Sequence, residues 1–360
     1  MMQVEELNEL RETIRAFLGS ESDSHQVRRA LENPGEFHTK MWAKIAELGW
    51  LGICIDEQYD GLGLGVSAAA IGYEEFGRYL TPLPFMSTVL ASAAINRSGS
   101  EAQKSDWLPK IAAGEISACI GLPSFTAPVQ ASDNGDAVVL NGVSANLLDA
   151  ARTDLLLVPL IDASERVGLA IIEAKAQGVA ISVRPTIDQT RQLCDVHLDG
   201  VVVSRSRIFY PEEQAWTDLF DHACVALACD SMGGATHILE KTVDYLKMRN
   251  QFGRPIGSFQ ALKHRCATWK ILQEAAGALT ANSTRMLSSD ESTKSVWASN
   301  AKFYACDAYA SIAGDAIQLH GGIGFTWEHD CHLFFKRAKL NQVLFGAGAE
   351  HKDRIARLAF

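Results

Sequence analysis

Arg249-Asn250-Gln251-Phe252-Gly253-Arg254-Pro255-Ile256, then Phe259-Gln260, then Gln318-Leu319-His320-Gly321-Gly322-Ile323-Gly324-Phe325-Thr326 form the stretch on which the fold turns. Taken singly, its parts are ordinary. A cluster such as Gly321-Gly322-Ile323-Gly324 more often ends a helix than cradles a phosphate. An arginine near a helix end can simply cover the helix dipole. The surroundings are helical from about Trp216 onward. Ser258 is placed to cap a helix whose apolar face carries Phe259, Leu262, Cys266 and Trp269. Ser292 is placed to cap another that runs to Gln318 and stops at Gly321-Gly322.

Toward the N-terminus the texture changes twice. Leu7, Leu10, Ile14, Phe17 and Leu18 recur at helical spacing, as do Trp42, Ile45 and Leu48. Tyr59 to Gly65 is a glycine-punctuated turn before a helix through Glu74-Glu75-Phe76. A helix pair is predicted over 87–114, broken near Ser98-Gly99-Ser100. Between Ser117 and Tyr210 come short β-branched runs, Val138-Val139-Leu140, Leu155 to Val158, Leu169 to Ile172, Val179 to Val183 and Val201 to Val203. Asn141-Gly142 and Asp199-Gly200 read as turns between them. The chain therefore reads as mixed α+β and mainly α: a helical domain at 1–116, a β-barrel or sandwich domain at 117–212 and a helical bundle at 213–360.

In combination and spacing, the segments from Arg249 to Thr326 closely resemble the acyl-CoA dehydrogenase family, which oxidises acyl-CoA thioesters with bound FAD. The helix–strand–helix order matches that family's architecture, including its C-terminal four-helix bundle, and the resemblance covers essentially the whole chain. It implies that Arg249, Gln251, Phe252, Gln260, Gln318, Gly321 and Gly322 hold the pyrophosphate and adenine of an FAD seated mainly in the neighbouring subunit. That division of labour is physically sensible. A guanidinium matches phosphate oxygens in charge and geometry, and glycines let backbone N–H groups approach closely.

The resemblance also marks departures. The family wraps its own flavin with a segment of type Thr-Glu-Pro-x-x-Gly-Ser-Asp; here it is Gly121-Leu122-Pro123-Ser124-Phe125-Thr126, with Leu122 where a hydroxyl usually bonds the flavin edge. A later segment should carry a lysine and a stacking aromatic, but Asn141 to Leu148 has neither. Counting on from Gln318 without a gap places the family's catalytic glutamate at Phe345, followed by Gly346-Ala347-Gly348-Ala349. Its alternative position, counted back from Arg249, is Ala223. Proton abstraction from Cα needs a desolvated carboxylate, and a phenyl ring cannot take a proton. Asp221, His222 and Glu350 are the nearby stand-ins, and the plain alternative for all three is solvated surface charge.

The resemblance thus implies a subunit of an FAD-dependent acyl-CoA dehydrogenase that lacks its own base and completes a flavin site in a homologous partner, as in α2β2 complexes that shorten steroid side chains in bacteria. The alternatives are a homotetrameric dehydrogenase with a displaced base, or a flavin-free scaffold or acyl-CoA-binding protein. An electron-transferring flavoprotein is the family's usual oxidant. The bulk properties agree with such an enzyme. A net charge of −10 argues against nucleic acid. No apolar run is long enough for a membrane span, and no secretion signal opens the chain. The eight cysteines form no C-x-x-C pair, which fits reduced thiols in the cytoplasm better than disulfides or a zinc site.

Overall fold

The computed structural model describes residues 3–289 and 291–360. The helical spacings of the first third become α1 (Val4–Glu21), α2 (Ser24–Glu32), α3 (Pro34–Glu47), α4 (Val66–Arg78), α5 (Phe85–Ser98) and α6 (Glu101–Ala112). Ile14 and Leu18 bury the inner stripe of α1, and Ile45 does so on α3. Leu48 belongs instead to the C-cap of α3 and is exposed. The break at Ser98-Gly99-Ser100 falls where the sequence places it. Ser100 accepts the Gln103 N–H at 3.3 Å while the Gln103 side chain accepts the Ser100 N–H at 2.9 Å, a reciprocal cap that starts α6.

The β-branched runs form one mixed eight-stranded sheet: β1 (Ala118–Ile120), β2 (Val129–Asn134), β3 (Ala137–Leu148), β4 (Leu155–Ile161), β5 (Val167–Glu173), β6 (Val179–Val183), β7 (Leu193–Ser204) and β8 (Ile208–Phe209). The strand order is 6-7-3-2-4-5-8, with β1 parallel to β4. Two sequence expectations fail here. Asn141-Gly142 and Asp199-Gly200 are not turns; they lie inside β3 and β7, where the ladder shifts register between Leu140 and Gly142. Gly200 takes a positive φ of 62°, and its N–H donates to Asn141 Oδ1 at 2.8 Å. Turn-forming residues facing each other across two long strands make a bulge rather than ending either strand.

The last third holds α7 (Glu213–Met248), a two-residue hairpin of β9 (Asn250–Gln251) and β10 (Arg254–Pro255), α8 (Gln260–Leu287), α9 (Lys294–His320), α10 (Cys331–Val343) and α11 (Gly348–Ala359). Residues 221–235 of α7 are all buried, the charged Asp221 and Asp230 among them. By contacts the described residues form two compact units, one of residues 33–69 and 82–223, the other of 3–32, 70–81, 224–289 and 291–360. Within the second, α4 lies against α7 so closely that a Cβ on Gly233 would collide with the Glu74 carbonyl. The carboxylate of Glu75, on α4, takes Arg15 at 2.7 Å and Arg11 at 3.1 Å from α1. In the same unit α8, α10 and α11 all pack on α9. The two expected caps shift. Ile256 N–H donates to the Arg249 carbonyl at 2.8 Å and tightens 256–258 into a turn, so α8 is capped at Phe259 and the Ser258 hydroxyl makes no hydrogen bond. The cap of α9 falls at Thr293, one residue past Ser292.

Candidate functional site

The residues expected to serve a flavin converge at the far ends of two helices. At the end of α7, Tyr245 stacks on His320 at 4.4 Å between ring centroids, and its hydroxyl donates to the His320 carbonyl at 3.2 Å. That contact sets the β9–β10 hairpin beside the end of α9. Gly321 caps α9 with φ 64°, and a Cβ on Gly321 or Gly322 would meet no atom within 4 Å. The hairpin tip is Phe252-Gly253, with φ of 52° and 77°. A glycine takes that conformation freely, whereas an aromatic residue does so at a cost. Phe252 nonetheless holds it with its side chain 90% exposed, edge-on to Phe259 at 6.2 Å. Arg254 covers the Phe259 ring at 4.1 Å. Among the described residues, the side chains of Arg249, Gln251, Gln260 and Gln318 are exposed and hydrogen-bond to nothing in the chain. Strained backbone and unpaired polar groups presented together mark a surface shaped for something else.

A second turn, between α10 and α11, carries Phe345. It is 4% exposed with φ 55°. Lys302 of α9, itself fully buried, donates to the Gln342 carbonyl at 3.0 Å and to the Gly346 carbonyl. From α11, His351 Nε2–H donates to the Phe345 carbonyl at 3.1 Å. The backbone is therefore clamped from both sides while the side chain is a hydrocarbon. Burial, reinforced by the Lys302 charge, lowers the His351 pKa to about 4. The sign follows from linkage: below pH 6.5 the unfolded chain takes a proton that folded His351 refuses until about pH 4. Stability present above pH 6.5 is then lost as pH falls, by about 2 kcal/mol at pH 5 for this one group. His351→Gln should flatten the dependence of unfolding free energy on pH between 6.5 and 4; an unchanged slope would refute the assignment.

Comparison with known proteins places the chain in a family. The model of the acyl-CoA dehydrogenase N-terminal domain matches residues 4–115, and that of the C-terminal domain matches residues 214–360. The acyl-CoA dehydrogenase IpdE2 of Mycolicibacterium smegmatis is 31% identical over 358 residues, covering 99% of each chain. The chain belongs to the acyl-CoA dehydrogenase family. Its members are oxidoreductases acting on CH–CH donors. Among solved acyl-CoA dehydrogenases, a variant of the Tcur3481-Tcur3483 steroid ACAD is 28% identical with a TM-score of 0.89, covering 99% of this chain and 98% of that one. The ChsE4-ChsE5 complex of Mycobacterium tuberculosis shares the fold at 24% identity and a TM-score of 0.91, covering 99% of this chain and 97% of that one.

Within the acyl-CoA dehydrogenase fold the remaining sequence candidates separate. Leu122 is buried, 2% exposed, and its carbonyl takes the Thr126 N–H at 2.6 Å, so its side chain offers no polar contact. Asn146 sits at φ 64° with its N–H on Asp195 at 3.3 Å, and Ser144 is buried. Asp221, His222 and Ala223 lie on the buried part of α7, which corrects the reading of Asp221 and His222 as solvated charge. Burial lowers the His222 pKa to about 4, so the imidazole is neutral near pH 7. Glu350 is exposed as expected, but its carboxylate accepts the Ala347 N–H at 2.8 Å and caps α11. Sequence reading missed one group, His320, His329 and Cys331, whose ligating atoms lie within 4.8 Å of one another. The eight cysteines are all free, as expected, and the absence of a C-x-x-C pair hid a cluster made mostly of histidine.

Proposed function

We propose that this chain is the base-less subunit of a heteromeric, FAD-dependent acyl-CoA dehydrogenase that desaturates an acyl-CoA thioester between Cα and Cβ. The buried phenyl side chain of Phe345, on a clamped turn that the family uses for its glutamate, carries the reading. Bound FAD would supply the acceptor for the hydride that leaves Cβ. The Cα proton needs a carboxylate, and this chain offers none at Phe345 or Ala223. Its own contribution is to a homologous subunit. Arg249 supplies a permanent cation and bidentate donors for a pyrophosphate. Gly321 and Gly322 leave room for phosphate oxygens to reach backbone N–H groups, and Gln251, Phe252, Gln260 and Gln318 complete the exposed rim.

Exposed Ile323, Phe325 and Trp327 beside that rim favour a protein partner. The two-component names of the Tcur3481-Tcur3483 steroid ACAD and the ChsE4-ChsE5 complex favour a heteromeric assembly, for which a heterotetramer is our reading, and the former favours a steroid-derived acyl group. An electron-transferring flavoprotein would then reoxidise the flavin. No described helix is long and apolar enough to cross a membrane, and free cysteines suit the cytoplasm. A homotetramer using Glu350 as base is disfavoured by the capping role of that carboxylate, and one using Asp221, which is buried, is tested by Asp221→Ala in the lone chain, which should then abolish activity. A flavin-free scaffold or acyl-CoA-binding protein would gain nothing from the retained rim.

The deciding measurement is flavin per chain, from visible absorbance, for the protein alone and co-purified with a homologous dehydrogenase subunit. The expected result is no flavin alone and one FAD per pair of chains in the complex. Stoichiometric FAD in the lone protein would overturn the reading.

A further inference from the structure

The turn from α9 to α10 gathers three metal-ligating side chains for which the flavin reading has no use. His320 ends α9, His329 lies on the turn and Cys331 opens α10. Cys331 Sγ is 3.3 Å from His320 Nδ1, and the two imidazole rings are 4.4 Å apart between centroids. One ligating atom from each residue lies within 4.8 Å of the others. Zinc bonds of roughly 2.0–2.3 Å in a tetrahedron set ligand atoms about 3.3–3.6 Å apart, so modest side-chain rotation brings all three onto one ion.

The surroundings suit that use. His320 Nδ1–H donates to the Ala316 carbonyl at 2.8 Å, a backbone contact of the kind that fixes the tautomer of a ligating imidazole and leaves Nε2, not Nδ1, as its ligand atom. Tyr245 stacks on the same ring. His320 and Cys331 are buried while His329 is half-exposed, so an ion has a route in from the His329 side. Neighbouring Asp330 is committed elsewhere, to Arg28 at 2.8 Å. Two imidazoles and a thiolate select zinc-class ions over magnesium or calcium.

We propose that His320, His329 and Cys331 form a zinc-class metal site with three protein ligands and a fourth position for water. Binding converts the Cys331 thiol to thiolate and releases its proton to solvent. The ion ties the Gly321–Phe325 turn to the start of α10. The proposal is independent of the flavin reading, since its readout is the metal itself.

The test uses the full chain, stripped with a chelator and titrated with Co2+ while thiolate-to-cobalt charge-transfer absorption is followed. One Co2+ per chain, displaceable by Zn2+, is expected. Cys331→Ser should abolish the charge-transfer band. His329→Ala, at a half-exposed position that leaves the fold intact by circular dichroism, should weaken binding about ten-fold or more. His332→Ala, outside the cluster, should leave it unchanged. No binding, binding without the thiolate band, or unaltered affinity in His329→Ala would each overturn the site.

Discussion

Replacing Asp230 by alanine is expected to cost about 3–5 kcal/mol, the loss typical of removing one partner from a buried ion pair. Asp230 Oδ1 takes Arg337 at 2.9 Å, with both side chains almost wholly buried. Its Oδ2 accepts Asn341 Nδ2–H at 2.7 Å, and the same amide reaches Ser231 at 3.0 Å. This network fastens α10 to α7. Without the carboxylate, Arg337 keeps its charge in a medium that solvates it poorly. The melting temperature should fall by about 4–7 °C for a chain of 360 residues. Changing the pair together, Asp230→Leu with Arg337→Met, should recover part of the loss, because apolar residues of similar volume replace buried ion pairs at little net cost while Asn341 is left with Ser231. A drop within scan error for Asp230→Ala would show that the pair contributes nothing.

Arg249→Ala should lower flavin affinity in the co-purified complex by about 10–100-fold, the worth of one charge-assisted hydrogen-bonded contact at about 1.5–3 kcal/mol. Folding should be untouched, because the guanidinium is exposed and has no partner within this chain. Arg249→Lys should recover only part of the affinity, since an ammonium keeps the charge but not the planar fork. Flavin retention indifferent to Arg249→Ala would shift the balance to the scaffold alternative.

Local patterns were legible where a single segment decides its own structure. The Ile14–Leu18 stripe, the Ser98-Gly99-Ser100 break and the Gly321 stop needed no partner to be read. Counting on from Gln318 leads to Phe345, which lies on the buried turn between α10 and α11. Asn141-Gly142 and Asp199-Gly200 misled because a turn signal and a bulge signal use the same residues, and only the strand opposite decides between them. Ser258 misled because the Arg249 carbonyl, nine positions upstream in the hairpin, captured the chain first. The burial of Asp221 and His222 was hidden because a charged residue on a helix looks the same in sequence whether its face turns in or out. Asp230 and Arg337 are far apart in sequence, so nothing short of the fold pairs them.

Lys302 gives the Phe345 turn a chemical reporter. Its amine is shut beneath the carbonyls of Gln342 and Gly346, whereas Lys247, Lys270 and Lys339 stand in solvent. An acylating reagent therefore modifies those three at once and reaches Lys302 only during moments when the turn opens. The lag of Lys302 behind its exposed counterparts, read by mass spectrometry, times the breathing of that turn without a mutation.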